Sequence, residues 1–599
     1  MFNGSEKMNF LRNNYIIAKK AFKNYKVYAI LSIIMGLLGA FSPIFSNYLI
    51  KDALDIGSST FSIQKFYKTL ICFLIYTLAV SIFLNHFSRV YTPAKLNDIA
   101  RNINLKIFKH ALKLPVKNYD DPGFLNTYNY ILSNGVSSAF DAFNSFASLI
   151  TEIFSLSILF TLIISLEYKL LIICFISSII NFIINLKLSK ISYDEQKELV
   201  YPERKSSYVS RTFSLRFYMK ELKTTMLAVP LIKLFKSSVD EKTEINVDYG
   251  KKYERLLNLQ SLLSNLSLAL SFVLLVNMFI NKKISAGEFA FAFNSFGQLS
   301  SSITSFLSIF PGMYRNSFVV EDILNFFSTP VCDEESGMEL NEVDSVELKN
   351  ASFSYDGTHE NLKCINLKIN KGEKVAFVGL NGAGKSTLAS IITGLYKVDS
   401  GDYLINGSDA YAYKQKDLYK KFGIMLQDFN IYSLTAIENI FMDSSENIST
   451  IEKEQAFELI QRLALDNKFE DINKLCETYL TSELEDGGLN LSGGEEQKLA
   501  LSRILIKPYD VLIFDEPSSR LDAYSEKGIF DSILEVYKEK TVIFISHRLR
   551  NIKNVDRIYY IEDGKIIESG KHIDLMNKKG AYYKLYKASS QSEQWWHLR

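Results

Sequence analysis

The sequence predicts a chain in two parts, an all-α membrane half followed by an α/β domain. Two observations carry this prediction. The 599 residues are 47% apolar, and the long, nearly charge-free apolar runs all lie in the first half. The second half contains short apolar strands between helical segments, which is typical of an ordinary α/β domain. A chain of this length is also expected to form more than one domain.

Six apolar runs in the first half are long enough to be membrane-spanning helices. A helix needs about 20 apolar residues to cross the ~30 Å hydrocarbon layer. Several such runs in one half-chain are not typical of buried core helices. The runs cover residues 27–50, 66–91, 142–166, 168–187, 257–280 and 287–312. Only Glu167, Tyr168 and Lys169 interrupt the apolar residues where the third run meets the fourth, which predicts a very tight turn.

Basic residues predict that both termini are cytoplasmic. Lys and Arg are concentrated before the first run, between the second and third, and between the fourth and fifth. Because cytoplasmic loops carry an excess of Lys and Arg, we expect a multi-pass protein in the lipid bilayer of the cell (cytoplasmic) membrane. The long cytoplasmic connections should be helical and turn back near residues 119–124 and 217–227. Residues 8–25 could form an amphipathic helix on the inner membrane surface.

Charge and cysteine content disfavour two other classes of protein. The net charge is +2 and the basic residues are dispersed, so we expect no nucleic-acid partner. The five cysteines are scattered without metal-site spacing, and a disulfide framework is unexpected. A composition rich in Lys, Asn and Ile favours a bacterial origin.

A short apolar strand at residues 375–378 runs into a glycine-rich loop of the pattern GxxxxGK[ST]. Glycines let backbone N–H groups point inward and surround the β- and γ-phosphates of ATP. Lys385 adds a positive charge, Ser386 offers a hydroxyl to Mg²⁺, and the next helix directs its positive N-terminus at the phosphates. The loop residues predicted to bind ATP are Gly379, Asn381, Gly382, Ala383, Gly384, Lys385, Ser386 and Thr387.

Two further buried-strand patterns end in residues that suit phosphate chemistry. The first ends in Asp515 and Glu516. Asp515 is placed to join the Mg²⁺ shell, and Glu516 is placed to polarise the attacking water as a general base. The second ends in Ser546 and His547. Beside two phosphate motifs, contact of His547 with the γ-phosphate is favoured over a surface histidine.

These motifs together resemble the ATPase of an ABC transporter. They include LSGGE at 491–495, LIFDEP at 512–517 and His547, in addition to the phosphate loop. The six runs before them resemble the spans of a half-size ABC exporter, so the resemblance covers nearly the whole chain. It implies a membrane all-α domain with six transmembrane helices, then an α/β P-loop NTPase domain of ABC type. The expected boundaries are 1–327 for the transmembrane domain, 328–344 for a linker, 345–588 for the ATPase domain and 589–599 for a tail.

The resemblance assigns roles to further residues. Tyr355 is similar to the aromatic residue that stacks on adenine. Gln427 is similar to the glutamine that touches Mg²⁺ and senses the transmembrane half. Asp522 lies in a loop that is usually SALD, with Arg520 here in place of Ala.

The resemblance also explains a second phosphate-binding pattern about a hundred residues after the first. In this family two ATPase domains enclose two ATPs head to tail. Ser492, Gly493 and Gly494 would close over the γ-phosphate held by a second subunit, so a dimer is implied. Glu495 stands where Gln is usual. Because a triphosphate repels a carboxylate, we expect Glu495 to turn away or to be hydrogen-bonded elsewhere.

The sequence therefore predicts an exporter that hydrolyses ATP with Mg²⁺ and moves its substrate by alternating access. An ATP-gated channel or regulator is the alternative, but such proteins often lose the residues equivalent to Glu516 or His547. The spans exclude a soluble ABC ATPase of DNA repair, and their fusion to the ATPase disfavours an importer subunit. A homodimer is favoured, and a heterodimer with a degenerate chain stays open.

The substrate is left open among amphipathic drugs, lipids and peptides. No peptidase domain precedes the spans, so we do not expect an exporter that processes leader-bearing peptides. Glu152 is the candidate substrate residue, because it is the carboxylate deepest inside a predicted span. The open alternative for Glu152 is an interhelical hydrogen bond or a position in a water-filled vestibule.

Overall fold

The computed structural model describes residues 4–55, 63–465, 467–517, 530, 533–534, 537–546, 549–550 and 552–588. The chain divides into two compact units. One unit, here the helical unit, comprises Met1–Ala111 and Asn126–Thr329. The other, here the ATPase unit, comprises Leu112–Leu125 and Pro330–Arg599.

The helical unit is built from long helices, most of them extending beyond the predicted apolar runs. A π-helical turn at Phe87–Tyr91 joins the third and fourth, and Glu167 alone separates the fifth and sixth, as the predicted tight turn requires. The helices are α1 (Gly4–Asn24), α2 (Lys26–Leu54), α3 (Ile63–His86), α4 (Thr92–Ala111), α5 (Pro122–Leu166), α6 (Tyr168–Ser214), α7 (Arg216–Thr224), α8 (Ala228–Ile280) and α9 (Ala286–Ser328).

Five helical stretches of the described residues are long and apolar enough to cross a membrane. They are Lys26–Leu54, Phe66–Ala111, Pro122–Ile164, Tyr168–Ser214 and Ala228–Ile280. The sixth predicted span lies in α9, which has 43 residues but is not among the five. Asn294, Gln298 and a run of serines at 300–302 lower the mean hydropathy of α9. The structure therefore has five helices of clear membrane-spanning apolarity and a sixth long helix that is more polar.

The N-terminal helix α1 packs against α9 through a buried polar contact. Asn14 is fully buried, and its side-chain amide donates a hydrogen bond to the carbonyl oxygen of Met313 at 2.8 Å. Asn316 donates to the Asn14 side-chain oxygen at 3.0 Å. The helix predicted at residues 8–25 is thus present, and part of its surface is committed to contacts with protein.

The described residues of the ATPase unit form two sheets. The larger has six strands in the order β10-β9-β3-β8-β7-β6, in which all neighbours are parallel except β10 and β9. The smaller is antiparallel, in the order β2-β1-β4-β5. The strands are β1 (Ser345–Phe353), β2 (Leu362–Asn370), β3 (Lys374–Val378), β4 (Ser400–Ile405), β5 (Ser408–Asp409), β6 (Phe422–Met425), β7 (Val511–Asp515), β8 (Thr541–Ile545), β9 (Arg557–Glu562) and β10 (Lys565–Gly570).

The core of the ATPase unit lies around the central parallel strands. Every residue of β3, β7 and β8 is buried, which is expected of a parallel sheet covered on both faces. Helices cover the sheet, and apolar side chains pack on each side of it. The described helices are α10 (Lys385–Ile392), α11 (Gln415–Lys421), α12 (Ala436–Phe441), α13 (Thr450–Arg462), α14 (Ile472–Glu477), α15 (Gly493–Leu505) and α16 (His572–Lys578).

Candidate active site

The carboxyl edge of the parallel sheet brings together several of the residues predicted to bind ATP. β3 leads into the phosphate loop at 379–387, and β7 ends at Asp515. β6 and β8 flank β7, and at the same edge they lead to Gln427 and Ser546. The crevice beyond the carboxyl ends of parallel strands is the usual ligand site of open α/β sheets.

Two glycines allow the phosphate loop to approach its neighbours closely. Gly384 has φ +101°, in the left-handed region, and a Cβ there would come within 2.7 Å of a methyl group of Leu362. A Cβ on Gly379 would collide with the carbonyl oxygen of Ile561. Because glycine has no Cβ, the loop can take a path that no other residue type permits without displacing β2 or β9.

Lys385 is buried at the start of α10, and its ammonium group points back into its own loop. The Nζ atom donates to the carbonyl oxygens of Leu380 at 2.8 Å and of Gly379 at 3.1 Å. Burial lowers the pKa of Lys385, and the charges of Asp515 and Glu516 act in the opposite direction. The lysine therefore lies in the electrostatic range of both carboxylates, where a triphosphate would add negative charge and favour the ammonium form.

Glu516 has a left-handed backbone, with φ +51°. Its N–H donates to the carbonyl oxygen of Ile545 at 3.0 Å, which continues the β7–β8 pairing by one residue. Its carbonyl oxygen accepts a hydrogen bond from the Gln497 side chain at 3.2 Å. This conformation costs a non-glycine residue about 1–2 kcal/mol, and such strain often occurs at functional positions. Both backbone polar groups of Glu516, the N–H and the carbonyl, are therefore hydrogen-bonded, which holds the residue in this conformation.

Tyr355, the predicted adenine-stacking residue, lies beside the phosphate loop. Its hydroxyl donates a hydrogen bond to the Thr387 hydroxyl at 3.2 Å, and burial raises the pKa of Tyr355. Its ring meets the rings of Phe353 and Tyr396 edge-on, with centroids 4.9 and 5.2 Å apart. We call Phe353, Tyr355 and Tyr396 the aromatic cluster.

Residues 112–125 lie between α4 and α5 in the chain but belong to the ATPase unit. Tyr396 donates a hydrogen bond to a carboxylate oxygen of Asp120 at 2.9 Å, and burial together with this bond raises the pKa of Tyr396. Lys117 lies 5.5 Å from the centroid of the Phe353 ring. The predicted turning piece near residues 119–124 is therefore in direct contact with the aromatic cluster.

The second phosphate-binding pattern lies at the start of α15, with Ser492 as the residue that precedes the helix. Glu495 accepts a hydrogen bond from the Ser492 N–H at 2.7 Å and forms an ion pair with Lys468 at 3.4 Å. Burial raises the pKa of Glu495, but the Ser492 and Lys468 contacts outweigh it and lower the pKa overall. The expectation that Glu495 is hydrogen-bonded elsewhere is confirmed.

Two predicted site residues, His547 and Asp522, lie outside the described residues. Among the others, the phosphate-loop side chains Asn381 and Ser386 are exposed, as is Gln427, whereas Ala383 is buried. Gly493 and Gly494 form the first turn of α15.

Family models match both halves of the chain. The model described as ABC transporter transmembrane region matches residues 27–199, and the model described as ABC transporter matches residues 362–519. The chain belongs to the half-size ABC exporters.

Named relatives agree with this membership. The exporter is 27% identical to the subtilin transport ATP-binding protein SpaT of Bacillus subtilis, over 92% of this chain and 90% of the relative. It is 32% identical to the ATP-dependent lipid A-core flippase of Escherichia coli K12, over 54% of this chain and 55% of that protein. A bacterial Atm1-family ABC exporter solved with ATP bound shares the fold, with a TM-score of 0.78, 21% identity and coverage of 95% of this chain and 98% of that one. ATP binding and ATP-driven export are therefore features of the protein, and half-size ABC exporters work as dimers.

Sequence reasoning missed three residues of this exporter's site region. Gln497 is 1% exposed and bonds to Glu516, and its signal was its place on the apolar face of α15 with Ala500, Leu501 and Ile504. Tyr396 and Lys468 gave no comparable local signal, because their partners are distant in sequence. Only the folded chain shows that they touch Asp120 and Glu495.

Proposed function

We propose that two copies of this chain export a substrate from the cytoplasm, with each ATP bound between the phosphate loop of one copy and residues 492–494 of the other. The observation that carries the proposal is the convergence of Lys385, Asp515 and Glu516 at one sheet edge. In this arrangement Lys385 binds the β- and γ-phosphates, and Glu516 accepts a proton from the attacking water.

Mg²⁺ fits the donors at this edge. The oxygen ligands available are the exposed hydroxyl of Ser386, the buried carboxylate of Asp515 and the exposed amide of Gln427, and oxygen ligands are those that Mg²⁺ prefers. Bound there, the ion would neutralise phosphate charge. His547 and Asp522 are proposed to complete the ATP site, His547 at the γ-phosphate and Asp522 in its loop.

The proposal gives residues 112–125 the task of passing nucleotide occupancy to the helices that they connect. Adenine stacked on Tyr355 would restrict the aromatic cluster. Tyr396 is hydrogen-bonded to Asp120, so a change in the cluster reaches a segment that is continuous with α4 and α5. Such a change is one element of the alternation between inward- and outward-facing states.

Six spans, cytoplasmic termini and a location in the cell membrane complete the proposal. Basic residues in the connections support the orientation, and α9 would be the sixth span despite its polarity. The polar face of α9 would then be turned from lipid, toward the other helices or the transport path. Because one named relative transports subtilin and another is a lipid A-core flippase, the substrate is proposed to be an amphipathic peptide or a lipid.

Reconstitution of the single gene product in liposomes tests this function. We expect Mg²⁺-dependent ATP hydrolysis and ATP-dependent accumulation of a fluorescent amphipathic peptide or lipid on the far side of the membrane. Lys385→Ala should abolish both. ATP-dependent ion conduction without accumulation against a gradient would support the gated channel instead.

A further inference from the structure

One face of α5 carries polar residues from before the predicted span 142–166 to the middle of that span. From Asn134 to Ser155 they recur every three or four residues, which places them on one side of the helix. This stretch rises about 30 Å, and its second half, from Asn144 onward, lies inside the predicted span. The members of this polar face are Asn134, Ser137, Ser138, Asp141, Asn144, Ser145, Ser148, Thr151, Glu152 and Ser155.

Two cavities of the helical unit open on this face. The larger, about 980 Å³, is lined by α5 between Tyr130 and Ser148, and by α6 and α9. The smaller, about 260 Å³, is lined by α5 between Thr151 and Leu159, and by α2 and α9. Because Ser148 and Thr151 are one turn apart, the cavities follow each other along the same two helices, α5 and α9. The larger has the size of a pocket for an organic molecule.

Acidic side chains predominate in both cavities. Of the described residues that line the larger, Asp141, Glu203 and Asp322 are acidic and Lys197 is basic. In the smaller, Glu152 is the ionisable side chain among the described lining residues. Within the described parts of the chain, none of these five side chains forms an ion pair within 4.0 Å. Both cavities would therefore attract cations.

Glu152 has an unused acceptor. Its Oε2 atom is buried and has no hydrogen-bond partner among the described residues, although the Ser302 hydroxyl interacts with the carboxyl group. Neighbouring polar groups are already paired, Ser155 with Ser302 at 3.2 Å and Gln298 with Asn47 at 3.2 Å. Burial of an unpaired carboxylate oxygen is costly, and an ionisable group at membrane depth is a site candidate.

We infer that the two cavities form a path for a substrate that carries ammonium or guanidinium groups, with Glu152 as the hydrogen-bond acceptor in the smaller cavity. This inference rests on the proposed export function and narrows its substrate to amphipathic cations. A donor from the substrate completes the hydrogen bonding of Glu152 Oε2. Asp141, Glu203 and Asp322 raise the local concentration of cations on the way.

Binding to the full-length exporter in nanodiscs tests the inference without relying on ATP hydrolysis. The probes are a labelled amphipathic peptide rich in Lys, the same peptide with Glu at each Lys, and a long-chain alkylamine with its alcohol analogue as competitors. Fluorescence anisotropy should give a Kd at least ~10-fold lower for the Lys peptide than for the Glu peptide. Competition by the amine but not the alcohol would extend the class from peptides to small organic cations, and no competition by either would restrict it to peptides.

Glu152→Gln should weaken binding of the Lys peptide ~10-fold or more and leave the weak binding of the Glu peptide unchanged. Glu152→Asp should restore part of the affinity. Glu244→Gln, an equal change of charge at an exposed position of α8, is the matched control and should bind as the wild type does. Equal Kd values for the two peptides, or unchanged affinity in Glu152→Gln, would overturn the inference.

ATP hydrolysis by the same nanodiscs, measured without peptide and with each of the two peptides, separates this inference from the proposed function. Hydrolysis that is lost in Lys385→Ala but does not depend on peptide charge would support the proposed function and contradict the inferred substrate class. Charge-selective binding to a chain that hydrolyses no ATP would support the inferred path and contradict ATP-driven export by this chain alone.

Discussion

At the scale of single residues, the sequence predicted the role of Glu516 but not its backbone conformation. The motif predicts a carboxylate at a strand end, and the structure places it there. Its left-handed φ of +51° and the hydrogen bond from Gln497 to its carbonyl oxygen arise from contacts with distant parts of the chain. Local patterns identify the residue type that chemistry needs, but they do not encode how that residue is held.

Glu516→Gln should lower steady-state ATP hydrolysis by ~10²-fold or more and leave ATP binding intact, since an amide cannot accept the proton of the attacking water. Steady-state ATPase and nucleotide trapping in nanodiscs measure this. Glu446→Gln, at an exposed position of the same unit, is the control. Near wild-type hydrolysis in Glu516→Gln would refute the proposed role.

The backbone of Glu516 supports a separate prediction on stability. Glu516→Gly and Glu516→Ala both remove the carboxylate, but only glycine accepts φ +51° without steric cost. We expect the Gly variant to be more stable than the Ala variant by about 1 kcal/mol. Thermal unfolding of the two variants side by side in the same detergent gives the comparison. An Ala variant as stable as the Gly variant would show that the left-handed conformation is not maintained.

At the scale of elements, charged side chains fix the position of two segments near the site, the start of α15 and residues 112–125. Glu495 accepts a hydrogen bond from the N–H of Ser492, the residue that precedes α15, and its carboxylate also pairs with Lys468. Residues 112–125 meet the aromatic cluster through Asp120 and Lys117. Lys468 lies outside α15, and Tyr396 lies outside residues 112–125. Each segment is therefore held by a residue that is distant in the sequence.

Glu495→Gln should change the ATPase rate by less than ~10-fold, equivalent to ~1.4 kcal/mol of barrier. Glutamine keeps an oxygen that can accept from the Ser492 N–H, and only the ion pair with Lys468 is lost. The rate at saturating ATP measures the effect. Lys468→Ala, which breaks the same pair from the other side, should resemble Glu495→Gln. A loss of activity far beyond tenfold would mean that the charge itself is needed.

Tyr396→Phe should weaken the stimulation of ATP hydrolysis by substrate without weakening ATP binding. The change removes the hydrogen bond to Asp120 and keeps the ring in the aromatic cluster. We expect basal ATPase and ATP affinity near wild type and a decrease of ~2–5-fold in substrate stimulation, since one hydrogen bond at a partly exposed site contributes about 1 kcal/mol. Tyr413→Phe, which loses only a long contact to Ile405, is the control. Unchanged stimulation would exclude this contact from coupling.

At the scale of the whole molecule, the sequence predicted the two-part architecture, the apolar helices and the order of the phosphate motifs. These features depend on local hydropathy and on motifs whose residues are consecutive. The polar α9 shows a limit, because its run 287–312 was predicted as a sixth span, yet α9 is not among the five described stretches that are long and apolar enough to cross a membrane. The membership of residues 112–125 in the ATPase unit depends on tertiary contacts between segments far apart in the chain, and no local pattern contains them.

The purified chain alone should form a dimer and hydrolyse ATP. Every catalytic position expected from the resemblance is present in the sequence, so two copies could build two competent sites. Mass photometry in detergent and an ATPase assay on the single gene product measure both properties, with Glu516→Gln as the inactive control. A monomer, or a dimer that stays inactive until another chain is added, would contradict the homodimer.

The contact between residues 112–125 and the aromatic cluster has a consequence for anyone who excises the catalytic part. A soluble fragment that starts at Pro330 omits a piece that packs as part of the same body. Such a truncated domain would leave Tyr396 without its carboxylate partner Asp120 and the Phe353 ring without Lys117. Nucleotide affinities measured on it would describe an incomplete protein, and a synthetic peptide of residues 112–125 added in trans would be the means to complete it.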